Sequence, residues 1–156
     1  MNIADLLAAD RVIAALRVSD KTQLFRELSH RAARSLSLDA EAILGFLETR
    51  EALGSTGIGQ GIAVPHACIT GLSQFFGLFA RLEQPIEFDA IDERRVDLVF
   101  LLLTPDQAVG GQLTALAAVS RRLRNRDAAA QLRAAKTSAD LYEILTNDAA
   151  ELPTPA

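Results

Sequence analysis

The chain has 156 residues, 49% hydrophobic and 23% charged, the size and composition of one compact domain that can bury its own core. A formal charge of -4 gives no net attraction to nucleic-acid phosphates or an anionic membrane, and the longest strongly apolar run, residues 96–103, is far short of the roughly 20 residues a membrane-spanning helix needs. One cysteine, Cys68, and two histidines, His30 and His66, exclude an internal disulfide and a Cys/His zinc cluster. Carboxylate metal sites stay formally open, but no metal and no cofactor is expected, and the expected partner is a protein or a small molecule.

The opening "MNIADLLAADRVIAAL" carries Asp5, Asp10 and Arg11 among its apolar positions, which is neither a cationic signal-peptide head nor an unbroken hydrophobic segment. A reducing, cytoplasmic setting is expected. Asp20 with Gln23 three residues later reads as a capping box, and Leu24, Phe25, Leu28, Ala32 and Leu36 then share one side of a helix over 21–36. Asp39 caps a second helix, with Ile43, Leu44, Phe46 and Leu47 as its buried side and Gly54 as its stop.

Beyond a glycine-rich loop the period becomes extended. "GIAVPHAC" comes first, then "FFGLFARLEQPIEF", in which Phe76, Leu78, Ala80 and Leu82 alternate, then "RVDLVFLLLTP", apolar on both faces as a central strand should be. Helical period returns after Pro105, with Leu113, Leu116, Ala117, Ser120 and Leu123 on one side. A shorter piece follows over about 127–135, then "SADLYEILTN" capped by Ser138. Helices, then strands, then helices make an α/β fold: a single domain over 1–150 with a mixed sheet flanked by helical layers on both sides, and a tail, 151–156, expected to be disordered.

The chemistry concentrates in "GSTGIGQGIAVPHACITG". Glycine costs backbone entropy wherever its freedom is unused, so Gly54, Gly57, Gly59 and Gly61 imply a close approach to this backbone. Pro65 pins the segment before His66, whose neutral imidazole is a nucleophile able to attack phosphorus and form a phosphoramidate. Amides of a loop containing Gly57 and Gly59 could cradle the phosphoryl oxygens, with Ser55 and Thr56 adding hydroxyl donors. Arg50 lies three, four and seven residues after Leu47, Phe46 and Ile43, so it projects from the apolar side of its helix, where a guanidinium needs an anion. The plainer alternatives are a hydrogen-bonded turn histidine, and an arginine whose head finds water or Glu51. His30 falls opposite the apolar stripe and reads as solvated. Cys68, on the same sheet face as His66, reads as a small buried hydrophobe.

"ETREALGSTGIGQGIAVPHA" resembles the signature of the enzyme IIA proteins of the bacterial phosphotransferase systems, fructose/mannitol class, and "EQPIEFDAIDERRVDLVFLLLTP" and "LRAAKTSADLYEILT" are similar to its nitrogen-regulatory branch. The resemblance runs over nearly the whole chain. It implies a mixed sheet flanked by helices, phosphorylation of His66 by a histidine phosphocarrier protein of the nitrogen branch, and phosphoryl binding by Arg50. It further implies regulated targets such as sensor kinases or transporters. Family members often carry a second histidine in a pattern like "HLxxLAxxA"; this chain reads "GQLTALAAVS", with Gln112 in that place. A regulator switched by its phosphorylation state is the favoured expectation, and a sugar-transport relay handing phosphate to a IIB permease component is the alternative.

Overall fold

Backbone donors inside a double-covered strand must all be paired within the protein, so a run such as residues 96–105 requires strands on both sides of it. In the computed structural model, which describes residues 1–106 and 110–147, the elements in chain order are β1 (Leu7–Leu16), α1 (Lys21–Leu36), α2 (Ala40–Ala52), β2 (Gly57–Gly59), β3 (Ile62–Ala63), β4 (His66–Ile69), β5 (Phe76–Ile86), β6 (Val96–Pro105), α3 (Gly111–Arg124), α4 (Arg126–Ala134) and α5 (Ser138–Thr146). The expected tail and residues 148–150 of the expected domain lie outside the described residues. β6 pairs antiparallel with β5 on one side and parallel with β3 and β4 on the other; β1 extends the sheet parallel to β5, and β2 extends it antiparallel to β3.

Alternation along β6 divides the core in two. Val99, Leu101 and Leu103 face α1 and α2, together with Phe76, Leu78, Ala80 and Leu82 of β5; Leu98, Phe100 and Leu102 face α3, α4 and α5. Each such side chain withdrawn from water contributes about 1.5–3 kcal/mol. The sheet is thus mixed, with helices on both faces, as expected.

Several local expectations are corrected. A strand, β1, precedes the first helix. Its alternation is hidden by register shifts between Leu7 and Val12 and between Ile13 and Leu16, where Arg11 donates to the Gly77 and Leu6 carbonyls and lies over the Phe76 ring. Asp20 caps α1 by accepting from the Gln23 amide, but Gln23 returns its own bond to Ser19 rather than to Asp20. On α2 only Ile43 and Leu47 are fully buried; Leu44 is partly so and Phe46 is 40% exposed, because this helix meets the sheet along a single narrow stripe. The inner side of α3 is Ala115, Ala118, Val119, Arg122 and Leu123, while Leu113 is 74% exposed. Alanines let that face lie close to the sheet, and Arg122 turns inward because its Nε donates to the Ile144 carbonyl at 3.0 Å. Thr137, not Ser138, caps α5 by accepting from the Asp140 amide.

Two glycines of the loop, Gly61 and Gly57, are explained by the fold itself. β2 and β3 are joined by Gln60 and Gly61, both at positive φ (59° and 79°), as the mirror-type two-residue hairpin turn requires. Gly57 has ordinary backbone angles, but a Cβ there would lie 2.8 Å from the Ala90 Cβ and 3.2 Å from the Phe88 ring. What approaches this backbone is the chain's own segment at Phe88 and Ala90.

Gly57→Ala therefore overpacks a fixed contact and should destabilise the fold by about 1–3 kcal/mol in a urea titration. A loss within about 0.5 kcal/mol, the range of a surface substitution, would show that the contact yields freely.

Candidate functional site

β3 and β4 are two parts of one extended segment, both parallel to β6, with Val64 and Pro65 between them: Ile62 pairs with Leu98 and Ala63 with Val99, then His66 with Leu102. Pro65 has no N–H to offer, but its carbonyl accepts from the Leu102 amide at 2.9 Å, and the Val64 amide donates to the Thr56 carbonyl at 3.0 Å. The backbone before His66 is therefore tied on both sides.

The imidazole is oriented through both ring nitrogens. Nδ1 is 2.8 Å from the Val64 carbonyl oxygen, which only accepts, so Nδ1 carries the proton. The Nε2 lone pair then accepts from Arg50 Nε at 3.2 Å, and a second arginine nitrogen donates to the Gly54 carbonyl at 2.9 Å. Arg50 stands in the last turn of α2, which packs against β4, so the two residues singled out by spacing meet. His66 is half-buried, and its pKa is held below the ordinary 6.5. Burial is the chief cause; the bond to Val64 opposes it, the Arg50 charge adds to it and Glu51 opposes it. A neutral ring with its proton on Nδ1 and its free pair on Nε2 is a nucleophile at neutral pH.

Glu51 turns away from its neighbour Arg50. Its carboxylate accepts from the Thr56 amide at 2.8 and 3.0 Å and from the Thr56 hydroxyl, and Lys21 of α1 lies 3.3 Å away. The Lys21 ammonium also donates to the Phe88 carbonyl at 3.2 Å and sits over that residue's ring. Glu51 as an organiser and Lys21 altogether escaped the sequence reading. A signal existed for Lys21: a cation in the first turn of a helix opposes the helix dipole and implies a nearby anion.

The expected donors of the loop are found committed elsewhere. Ser55 Oγ donates to the Phe88 carbonyl and accepts from the Gly57 amide, and the Thr56 hydroxyl and amide both bond to Glu51. Gly57 packs against Ala90, and Gly59, at φ 95°, precedes the hairpin turn, whose Gln60 amide donates to Asp92. In this structure these residues frame the site rather than present free donors, because a short loop between α2 and the sheet must first satisfy its own polar groups.

Gln112, half-buried in the first turn of α3, is not a hydrogen-bond partner of His66 or Arg50. His30 is exposed on α1, as expected. Cys68 does share the outward side of β4 with His66, but it is exposed, not buried; its sulfur accepts from the Thr104 hydroxyl at 3.4 Å. That side of β4 is open to solvent beside His66. Among the described residues no group of three or more His, Cys, Asp or Glu side chains is placed to hold a metal ion.

Comparison with known proteins gives consistent matches. Residues 5–148 match the family model described as phosphoenolpyruvate-dependent sugar phosphotransferase system, EIIA 2. A protein of Bradyrhizobium diazoefficiens named nitrogen regulatory protein is 43% identical over 145 residues, covering 93% of this chain and 95% of that one. One of the same name from Escherichia coli is 36% identical over 148 residues, covering 94% and 91%. Among solved structures, the nitrogen regulatory protein IIA-Ntr of Neisseria meningitidis superposes with a TM-score of 0.88 at 33% identity, over 92% of this chain and 99% of that one. The IIA mannitol protein of Escherichia coli shares the fold alone, at 18% identity and a TM-score of 0.73 over 89% and 98%.

A histidine whose pKa is lower folded than unfolded binds fewer protons in the native state, so folding stability falls as pH drops through 6.5 toward the folded value. In an imidazole NMR titration His66 should show a midpoint below 6.5, and Arg50→Ala should move that midpoint upward. His66→Gln should flatten this part of the stability profile. A His66 midpoint at or above 6.5 would contradict the account.

Proposed function

The chain belongs to the phosphotransferase-system EIIA 2 family, and from that membership we propose that it accepts a phosphoryl group on Nε2 of His66 from a histidine phosphocarrier protein and controls partner proteins by its phosphorylation state. The observation that carries the reading is the orientation of one ring, with Nδ1–H on the Val64 carbonyl and the Nε2 pair beside the Arg50 guanidinium.

The Nε2 lone pair attacks phosphorus in line, the new N–P bond forms, and the bond to the donor's nitrogen breaks with its electron pair returning to the donor. No proton must leave Nε2, because the ring's only proton is on Nδ1. The ring becomes cationic as the bond forms, and the Val64 carbonyl, already accepting from Nδ1, stabilises that charge. Arg50 gives up its bond to Nε2 in the same step and pairs with the phosphoryl oxygens. Ser55, Thr56, Gly57 and Gly59 serve as the frame of the phosphoryl site, and Gln112, in place of the family's second histidine, contributes at most a neutral amide donor.

Regulation is favoured over sugar transport by the name carried by relatives at 36% and 43% identity, nitrogen regulatory protein. A phosphoryl group adds up to about two negative charges at the site mouth, so a protein docking over uncharged His66 loses affinity once it is phosphorylated. Sensor kinases and transporters are the classes of partner this reading carries, in a cytoplasmic setting. Among the described residues no helix is long and apolar enough to cross a membrane.

With a phosphoenolpyruvate-driven phosphocarrier chain, one acid-labile phosphate should appear on His66 and none on His30, and His66→Ala should stay unlabelled. Single-turnover acceptance should fall by about a hundredfold or more in Arg50→Ala and by about tenfold or less in Gln112→Ala. Labelling of His66→Ala, or equal losses in the two other variants, would overturn the assignment. Rapid discharge from the loaded protein to a sugar-specific IIB domain would favour the relay.

A further inference from the structure

The Glu51 side chain is only 9% exposed, yet it does not pair with Arg50, its neighbour in the chain. A carboxylate so far withdrawn from water must be compensated, and its partners are Lys21 at 3.3 Å, the Thr56 amide and the Thr56 hydroxyl. These bonds close a circuit. Glu51 holds Thr56, and Thr56 ends the turn whose Gly54 carbonyl receives Arg50 at 2.9 Å. Ser55, between them, is tied to the same Phe88 carbonyl that accepts from Lys21. Arg50 in turn reaches His66 through Nε while its other nitrogen is anchored on that turn.

We propose that Glu51, held by Lys21, is a positioning residue for phosphoryl acceptance: its carboxylate fastens the 54–56 turn, and that turn fixes the Arg50 guanidinium on Nε2 of His66. Two adjacent residues of opposite charge thereby do different work. Because Glu51 is occupied by Lys21 and Thr56, the charge of Arg50 is left for an incoming anion. Glutamine keeps the shape but loses the charge: the Lys21 ammonium is left without its counterion, and the oxygen that becomes NH2 can no longer accept from the Thr56 amide. A loosened turn takes the Gly54 carbonyl with it, and a guanidinium displaced by about 1 Å is enough to cost a large part of an alignment-dependent rate.

The proposal rests on the reading that His66 accepts the phosphoryl group, so its test has one arm that needs no phosphotransfer. In the imidazole ¹⁵N spectrum of the resting protein, Glu51→Gln should move the Nε2 resonance toward that of Arg50→Ala, because both variants remove the donor from Nε2. In single-turnover acceptance from the phosphorylated form of a histidine phosphocarrier protein, Glu51→Gln and Lys21→Met should each be slower by about ten- to a hundredfold, with the half-saturating donor concentration changed by less than about twofold. Lys21→Arg, which keeps a cation on the carboxylate and over the Phe88 ring, should recover most of the rate. In the Arg50→Ala background, Glu51→Gln should cost less than about a further twofold, since it acts through the residue already removed. Urea titration of each variant identifies any that fails to fold, and Thr56→Val, which keeps the amide and loses only the hydroxyl bond, then takes its place. A wild-type Nε2 resonance in Glu51→Gln, or losses that multiply fully with that of Arg50→Ala, would overturn the proposal. If the wild type accepts no phosphate at all, the functional reading fails, while the resonance still decides whether Glu51 positions Arg50.

Discussion

The parallel pairing of residues 62–69 with β6, broken once at Pro65, is the constraint on which the site depends. An uninterrupted strand would alternate its side chains and keep every amide in the ladder. The break removes one donor and frees the Val64 carbonyl to accept from the His66 ring two residues later in the chain. The same break leaves the Pro65 carbonyl to hold Leu102 of the central strand, so the departure from regularity is itself anchored in the best-buried part of the molecule. A histidine on an ordinary surface loop would have neither a fixed tautomer nor a fixed direction for its lone pair.

Around that ring the charges are sorted rather than simply paired. Arg50 and Glu51 are consecutive at the end of α2, and in isolation they would neutralise one another. The fold separates them by supplying each with a better partner: the ring and the Gly54 carbonyl for the guanidinium, Lys21 and Thr56 for the carboxylate. Partial burial keeps the imidazole neutral, and the nearby cation acts in the same direction. The electrostatics of the resting site thus hold a neutral ring whose Nε2 lone pair faces a cation.

The glycine-rich loop is held in place by its own hydrogen bonds and packing. Gly61 answers to a hairpin turn and Gly57 to close packing against the segment at Phe88 and Ala90, and the loop's hydroxyls satisfy carbonyl and carboxylate groups of the same neighbourhood. Rigidity is what this contributes. An arginine anchored on a rigid turn loses little freedom when it engages an anion, which is the condition under which a charge-assisted hydrogen bond contributes most.

Much of this was legible in the chain itself, for identifiable reasons. The apolar run of β6 from Leu98 to Leu103, the amphipathic stripe of α1, the caps at Asp20 and Asp39 and the projection of Arg50 from the apolar side of α2 are local properties, set by side-chain period and by hydrogen bonds a few residues long. His66 behind Pro65 is local in the same sense. β1 was not legible, because its register shifts erase the alternation and it is a strand only by virtue of pairing with β5, some 70 residues later in the chain. The inner face of α3 was not legible either, since an arginine turned inward by a carbonyl on α5 cannot be told by period from one turned outward. Exposure of Cys68 depended on which side of β4 the helices left uncovered. The Lys21–Glu51 pair and the packing of Gly57 against Ala90 joined α1, the end of α2 and the segment at Phe88, and only tertiary structure decided them, because a contact between residues 30 or more positions apart leaves no period in the sequence.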